Sequence, residues 1–129
     1  QGAMANLMSD LSSSLAALHL DLQSHMNRVT VVVKSEFGRR ADENGSAGTD
    51  HGHGNCMFAM GGNIDGGKVF ADWTSGELLH PDQLYQGDSL QVTTDYRDII
   101  AEIVQKRLNN SNLATVFPNY TPTFQGIVK

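Results

Sequence analysis

A single cysteine, Cys56, stands in this chain of 129 residues, so no internal disulfide can staple the fold. It falls in the apolar run Cys56-Met57-Phe58-Ala59-Met60, where a thiol is expected to be buried and inert. No apolar stretch approaches the length of a membrane helix, so no membrane span is expected. Basic residues are few: 9 Lys and Arg stand against 14 Asp and Glu, giving a formal net charge of −5. Without a Lys/Arg cluster there is no face to neutralise phosphates, and nucleic acid is not an expected partner. Internal repeats and low-complexity tracts are also missing. No signal peptide is visible, but the chain begins at Gln1 rather than Met, so this decides nothing about compartment.

What is present fits one domain, residues 1–129, long enough to bury a core. Residues 4–26 read as an amphipathic helix, with Leu7, Leu11, Leu15, Leu18, Leu22 and Met26 recurring every three or four positions. Val29-Thr30-Val31-Val32-Val33 follows, β-branched throughout and without alternation, as in a parallel strand covered on both faces. Its parallel neighbours are missing from the sequence. Either later segments supply antiparallel ones, or the chain is the C-terminal piece of a larger α/β protein; the second is the expectation. If such a piece is stable alone, it should shield the open strand edge by self-association.

Further along, Cys56–Met60 and Lys68–Trp73 are two strand candidates around a glycine-rich loop, as in a hairpin. Residues 74–89 look irregular, with a turn at Pro81-Asp82. Asp95 is placed as an N-cap and Asp98 in the first helical turn; Ile99, Ile100, Ile103, Val104 and Leu108 give that helix its buried face. The tail after Asn109 contains Phe117-Pro118 and Thr121-Pro122 and should be extended, packed by Phe117, Tyr120 and Phe124.

The chemistry concentrates in Gly48-Thr49-Asp50-His51-Gly52-His53-Gly54-Asn55. Glycines let backbone approach a ligand, while Asp and His are common oxygen and nitrogen donors for metals and for phosphate-ester chemistry. In extended backbone His51 and His53 point one way and Asp50 the other. Asp50, His51 and His53 are therefore candidate metal ligands, although they could equally brace the loop by hydrogen bonds alone. Ligands in open α/β sheets bind beyond the carboxyl ends of strands, where Ser35 and Glu36 fall. Glu36 is a candidate general base or ligand and Arg39 a candidate anion clamp. The competing reading pairs these two with each other.

Val31-Val32-Val33-Lys34-Ser35-Glu36-Phe37-Gly38-Arg39, the Gly48–Asn55 run and Val92-Thr93-Thr94-Asp95-Tyr96-Arg97-Asp98, in that order, resemble a bacterial signature. It is the C-terminal signature of the domain-of-unknown-function family numbered fifteen-oh-one, exported proteins often bearing twin-arginine signals. Gly66-Gly67-Lys68-Val69, Asp72-Trp73 and Phe117-Pro118 fit as well. The resemblance implies membership of the alkaline phosphatase and sulfatase superfamily. It thereby implies an α/β fold, the C-terminal portion of a three-layer α/β/α sandwich, and a periplasmic or exported location. A divalent metal in the full-length parent, hydrolysing phosphate or sulfate esters, is part of the same implication.

Two departures matter. Glu36 stands where the superfamily has Asp, and Phe37 where it has His, and a phenylalanine cannot ligate a metal. No segment here matches the region that supplies the nucleophile, so this chain alone is expected to be inactive. It should work with the missing N-terminal half of the parent or as a homo-oligomer. The alternative is a non-catalytic exported or cell-surface binding module on a relict hydrolase fold.

Overall fold

Helix α1 (Ala3–Leu22) forms where Ala, Leu and Met dominate, residues that lose little side-chain freedom in a helix. Its end is set at Gln23, whose φ of 43° breaks the helical backbone, and the chain continues as a 3₁₀ turn, Gln23–Arg28. The long helix expected from the leucine spacing is therefore present, but none of the α1 side chains is buried. Met26, just beyond it, is. The computed structural model describes residues 2–72 and 79–129.

Strand β1 (Thr30–Val33) follows. Between it and the next sheet partner lie two short strands, β2 (Gly38–Arg39) and β3 (His51–Gly52), which pair antiparallel with each other. β4 (Phe58–Gly61) then returns antiparallel to β1, with Val31 opposite Met60 and Val33 opposite Phe58. This corrects the reading of Val29–Val33 as a parallel strand covered on both faces. A later segment does supply an antiparallel neighbour, and all four β1 residues are only half-buried. The architecture of the described residues is mixed α/β, with two small two-stranded sheets.

The expected hairpin between Cys56–Met60 and Lys68–Trp73 is likewise corrected. Residues 68–72 form no strand, and Trp73 lies outside the described residues, as do residues 74–78. The loop between them is already committed to the C-terminal tail. Asp65 N–H donates to Ile127 O at 2.8 Å, Lys129 N–H donates to Asn63 O at 2.8 Å, and Ile64 bridges Val128. Cys56 is a third correction: it is exposed, not buried. β4 begins only at Phe58, which leaves Cys56 in the approaching loop, its N–H donating to the Asn55 side chain at 2.8 Å.

Helix α2 (Tyr96–Lys106) is the scaffold of the molecule. As its sequence predicts, Asp95 is the N-cap, accepting the Arg97 N–H at 2.9 Å. Of the expected apolar face, Ile103 is buried and Ile99, Ile100 and Val104 are half-buried, but Leu108 is 69% exposed. A short helix α3 (Leu113–Val116) interrupts the expected extended tail, and Phe117 and Tyr120 after it are half-buried. The core is Ile103, Ile127 and Val128, with Val32, Ile64 and Ile99 packed against it.

At its centre lies a charge. Glu102 is fully buried, and its two oxygens accept four hydrogen bonds. Oε1 takes the Lys106 ammonium at 2.8 Å and the Val128 N–H at 3.0 Å; Oε2 takes the N–H groups of Gln125 and Gly126 at 2.9 Å each. One turn earlier, buried Asp98 accepts the Tyr120 hydroxyl and the Thr123 N–H, both at 2.7 Å. Tail and helix are thus stitched together by two carboxylates four residues apart on one helix face. Burial pushes the Glu102 carboxyl up, but Lys106 and the tail amides outweigh it and hold the group below its ordinary 4.5.

Replacing Glu102 by Ala leaves three tail N–H groups without acceptors and should cost about 3 kcal/mol or more. Thermal denaturation should register this as a Tm drop of about 10 °C or more. An unchanged Tm would show that the tail is not held this way. The pH response follows from signs. Glu102 is depressed in the fold, so its stabilisation is present above 4.5 and fades as pH falls through the lower folded value. Tyr120 is pushed up to about 12, by burial first and then by its bond to Asp98, so its contribution holds below 10 and fades toward about 12. Melting curves across pH should decline at both ends, and Tyr120→Phe should remove much of the alkaline decline.

Candidate functional site

Ser35 to Arg40 leave the end of β1 and enter a small ribbon in which three segments interlock. Gly38 pairs with Gly52 and Arg39 with His51. Arg39 N–H donates to Gly54 O at 2.8 Å, Gly54 N–H to Leu90 O at 2.7 Å, and Leu90 N–H back to Arg39 O at 3.1 Å. Space explains the glycines here. A Cβ on Gly38 would sit 2.2 Å from the His53 carbonyl carbon, and one on Gly52 would sit 2.4 Å from that of Arg39. Any side chain would force the strands apart.

Phe37, His51 and His53 share one face of the ribbon, as alternation and register require. The Phe37 and His51 rings stack with centroids 4.4 Å apart, and the His53 and Tyr85 rings at 3.8 Å. Asp50 Oδ1 accepts the Asn44 amide at 2.9 Å. The Arg39 guanidinium donates to the Thr49 carbonyl at 2.8 Å and does not pair with Glu36. The competing salt-bridge reading of those two residues is not what the fold adopts.

Beside the ribbon opens a cavity of 1210 Å³. Its walls come from the segment after β1, the approach to β4, the 64–72 loop and the start of α2; Lys34, Glu36, His53, Asn55, Asp95 and Tyr96 are among its lining residues. The sequence-predicted residues divide here. Glu36 and His53 line the cavity, whereas Arg39, Asp50 and His51 do not. Among the described residues no group of three or more His, Cys, Asp or Glu side chains is arranged to hold a metal ion. Asp50 is spent on Asn44, and each imidazole lies flat on an aromatic ring, so this trio as folded does not fit a shared cation.

Sequence reasoning passed over several groups at this wall. Lys34 places its ammonium 4.8 Å from the Tyr96 ring centroid, and Asn55 donates to Phe37 O at 2.7 Å. Asp95 and Arg97 form a two-point ion pair at 2.9 and 2.6 Å, with Arg97 stacked 3.7 Å over Tyr120. The Arg97 hydrogen bonds hold the Asp95 carboxyl below its usual range. The signal for these was their place in the three motifs: Lys34 directly after an apolar run, Asn55 directly before one, and Asp95 and Arg97 at a helix start.

The chain belongs to the family described as Protein of unknown function (DUF1501), whose pattern matches residues 1–114. No curated protein and no solved structure matches it. The family match stops short of the tail segment that Asp98 and Glu102 fasten to α2.

The close glycine pairing predicts that Gly52→Ala destabilises the ribbon by about 1–3 kcal/mol. Amide exchange at Arg39, Arg40 and Gly54 should accelerate in that variant. Gly66→Ala is the control, since its new Cβ meets nothing within 4 Å. Equal exchange in both would refute the steric account.

Proposed function

We propose that this chain supplies one wall of an ester-hydrolase-type site in an exported, periplasmic protein of the alkaline phosphatase and sulfatase superfamily. In this reading it is the C-terminal portion of a three-layer α/β/α sandwich and is inactive by itself. The observation that carries the reading is the position of the cavity. It opens where β1 ends and β4 begins, with Glu36 and His53 on its wall. Glu36 is exposed and serves as base or proton acceptor; His53, held against Tyr85, serves as the acid/base partner. Arg39 acts as a brace of the 48–50 loop. The nucleophile comes from another segment of the parent, as do the ligands of any divalent ion, because Phe37 carries none and Asp50, His51 and His53 do not converge.

The longer parent polypeptide, stripped of metal and reloaded with zinc, manganese or calcium, should hydrolyse an aryl phosphate or an aryl sulfate. Glu36→Gln and His53→Ala in that parent should each lower kcat/KM at least tenfold, and the 129-residue chain should show no turnover. A parent inactive under every loading, or variants as active as the parent, would overturn the reading.

A further inference from the structure

Helix α1 carries a second pattern within its leucine stripe. Met4, Met8, Leu11, Leu15, Leu18 and Leu22 alternate at spacings of four and three, the a/d seam of a coiled coil over almost three heptads. At 100° per residue these six lie within an arc of roughly 80°. None is buried: Met8 is 45% and Leu18 39% exposed, Leu11, Leu15 and Leu22 are half-buried, and at the near end Met4 lies beside Gly48 and the Thr49 hydroxyl of its own chain. The flanking positions are Ala5, Ser12 and His19 on one side and Leu7, Ser14 and Asp21 on the other, so that serines stand at the middle of the helix.

We propose that this seam is covered by α1 of a second copy of the chain, running antiparallel. The register is self-complementary. Leu11 meets Leu15 of the other copy, Met8 meets Leu18 and Met4 meets Leu22, so every layer pairs an a position with a d position. In this arrangement Ser12 and Ser14 each face their own counterpart, and Asp21 faces Leu7, so no like charges oppose. The opposed helix dipoles favour the same direction.

Area supports the occupant. The chain exposes 8930 Å², against about 6700 Å² expected for a folded monomer of 14.0 kDa. That excess of about 2200 Å² is spread over the whole chain, α1 included, and leaves room for the roughly 800 Å² per partner that a standard interface takes. A two-fold contact made by one patch on both copies also closes on itself and does not propagate into fibres. The proposal does not depend on the ester-hydrolase reading, since α1 contributes nothing to the cavity wall.

Light scattering and sedimentation equilibrium of the 129-residue chain should give twice the chain mass at micromolar concentration. Leu11→Asp with Leu15→Asp should halve it, while Leu20→Asp, on the opposite face, should not. Circular dichroism and near-ultraviolet spectra identify a variant that has unfolded instead, and Leu15→Ala then provides the milder test by raising the dissociation constant at least tenfold. In a Cys56→Ser background, Met8→Cys mixed with Leu18→Cys should cross-link between copies, and Leu15→Cys alone should not. A monomer at all concentrations overturns the proposal, and cross-linking by Leu15→Cys alone overturns the antiparallel register. A monomeric longer parent with α1 protected from amide exchange also overturns it, because its own upstream chain would then be the occupant.

Discussion

The fold depends on one buried carboxylate. Glu102 occupies a position in α2 that helical periodicity would assign to the core, and a lone ionised group there would be very costly. It is tolerated because every lone pair direction is used: one ammonium and three amides converge on it. Those amides belong to Gln125, Gly126 and Val128, so satisfying the charge and positioning the tail are one event. Ile127 and Val128 enter the core only because their neighbours are fixed to Glu102. The tail in turn holds Asn63 and Asp65, which orient the loop that forms the far side of the cavity. A packing defect at Glu102 would therefore reach the cavity through covalent continuity rather than through any long-range wire.

The polar stitching compensates for a small apolar core. Among the described residues only Met26, Ala101, Ile103, Ile127 and Val128 are buried hydrophobics. With so little apolar burial, hydrogen-bonded anchors carry an unusual share of the specificity: the Asp98 and Glu102 pair for the tail, Arg107 for the junction with β1. Arg107 donates to the Thr30 hydroxyl at 3.0 Å and to Asn27 O at 3.2 Å, fastening the end of α2 to the start of the strand. Directional contacts of this kind fix a unique geometry where apolar packing alone would leave alternatives.

Local signals in the sequence were legible and long-range ones were not. The leucine spacing located α1, the β-branched run located β1, and Asp95 located the start of α2, because each depends on neighbours within a few positions. The partner of β1 was misjudged because a β-branched run does not say which way its neighbour runs. Cys56 was misplaced because an apolar run does not reveal where along it the strand begins. Glu102 was invisible: a glutamate on a helix reads as surface until the tail amides twenty-odd residues later are known to reach it. At the site, composition singled out Asp50, His51 and His53 as candidate ligands, and strand alternation explains why the two imidazoles share a face. What composition could not supply was the pairing of those rings with Phe37 and Tyr85, which turns two candidate ligands into stacked, separately held groups.

That stacking changes the meaning of Phe37. Viewed as a substitution, phenylalanine where the superfamily resemblance leads one to expect histidine is simply a lost donor. In the fold it gains a role, since its ring lies 4.4 Å from that of His51 at an interplanar angle of 13°, and its carbonyl accepts the Asn55 amide. Stacked aromatic contacts of this kind are worth about 0.5–1.5 kcal/mol beyond the area they bury. The residue therefore holds His51 by its ring, while His53, two positions on along the same face, stacks on Tyr85 and lines the cavity. Two histidines that spacing alone would have assigned to one ion are thus each engaged by a different aromatic ring, Phe37 for His51 and Tyr85 for His53.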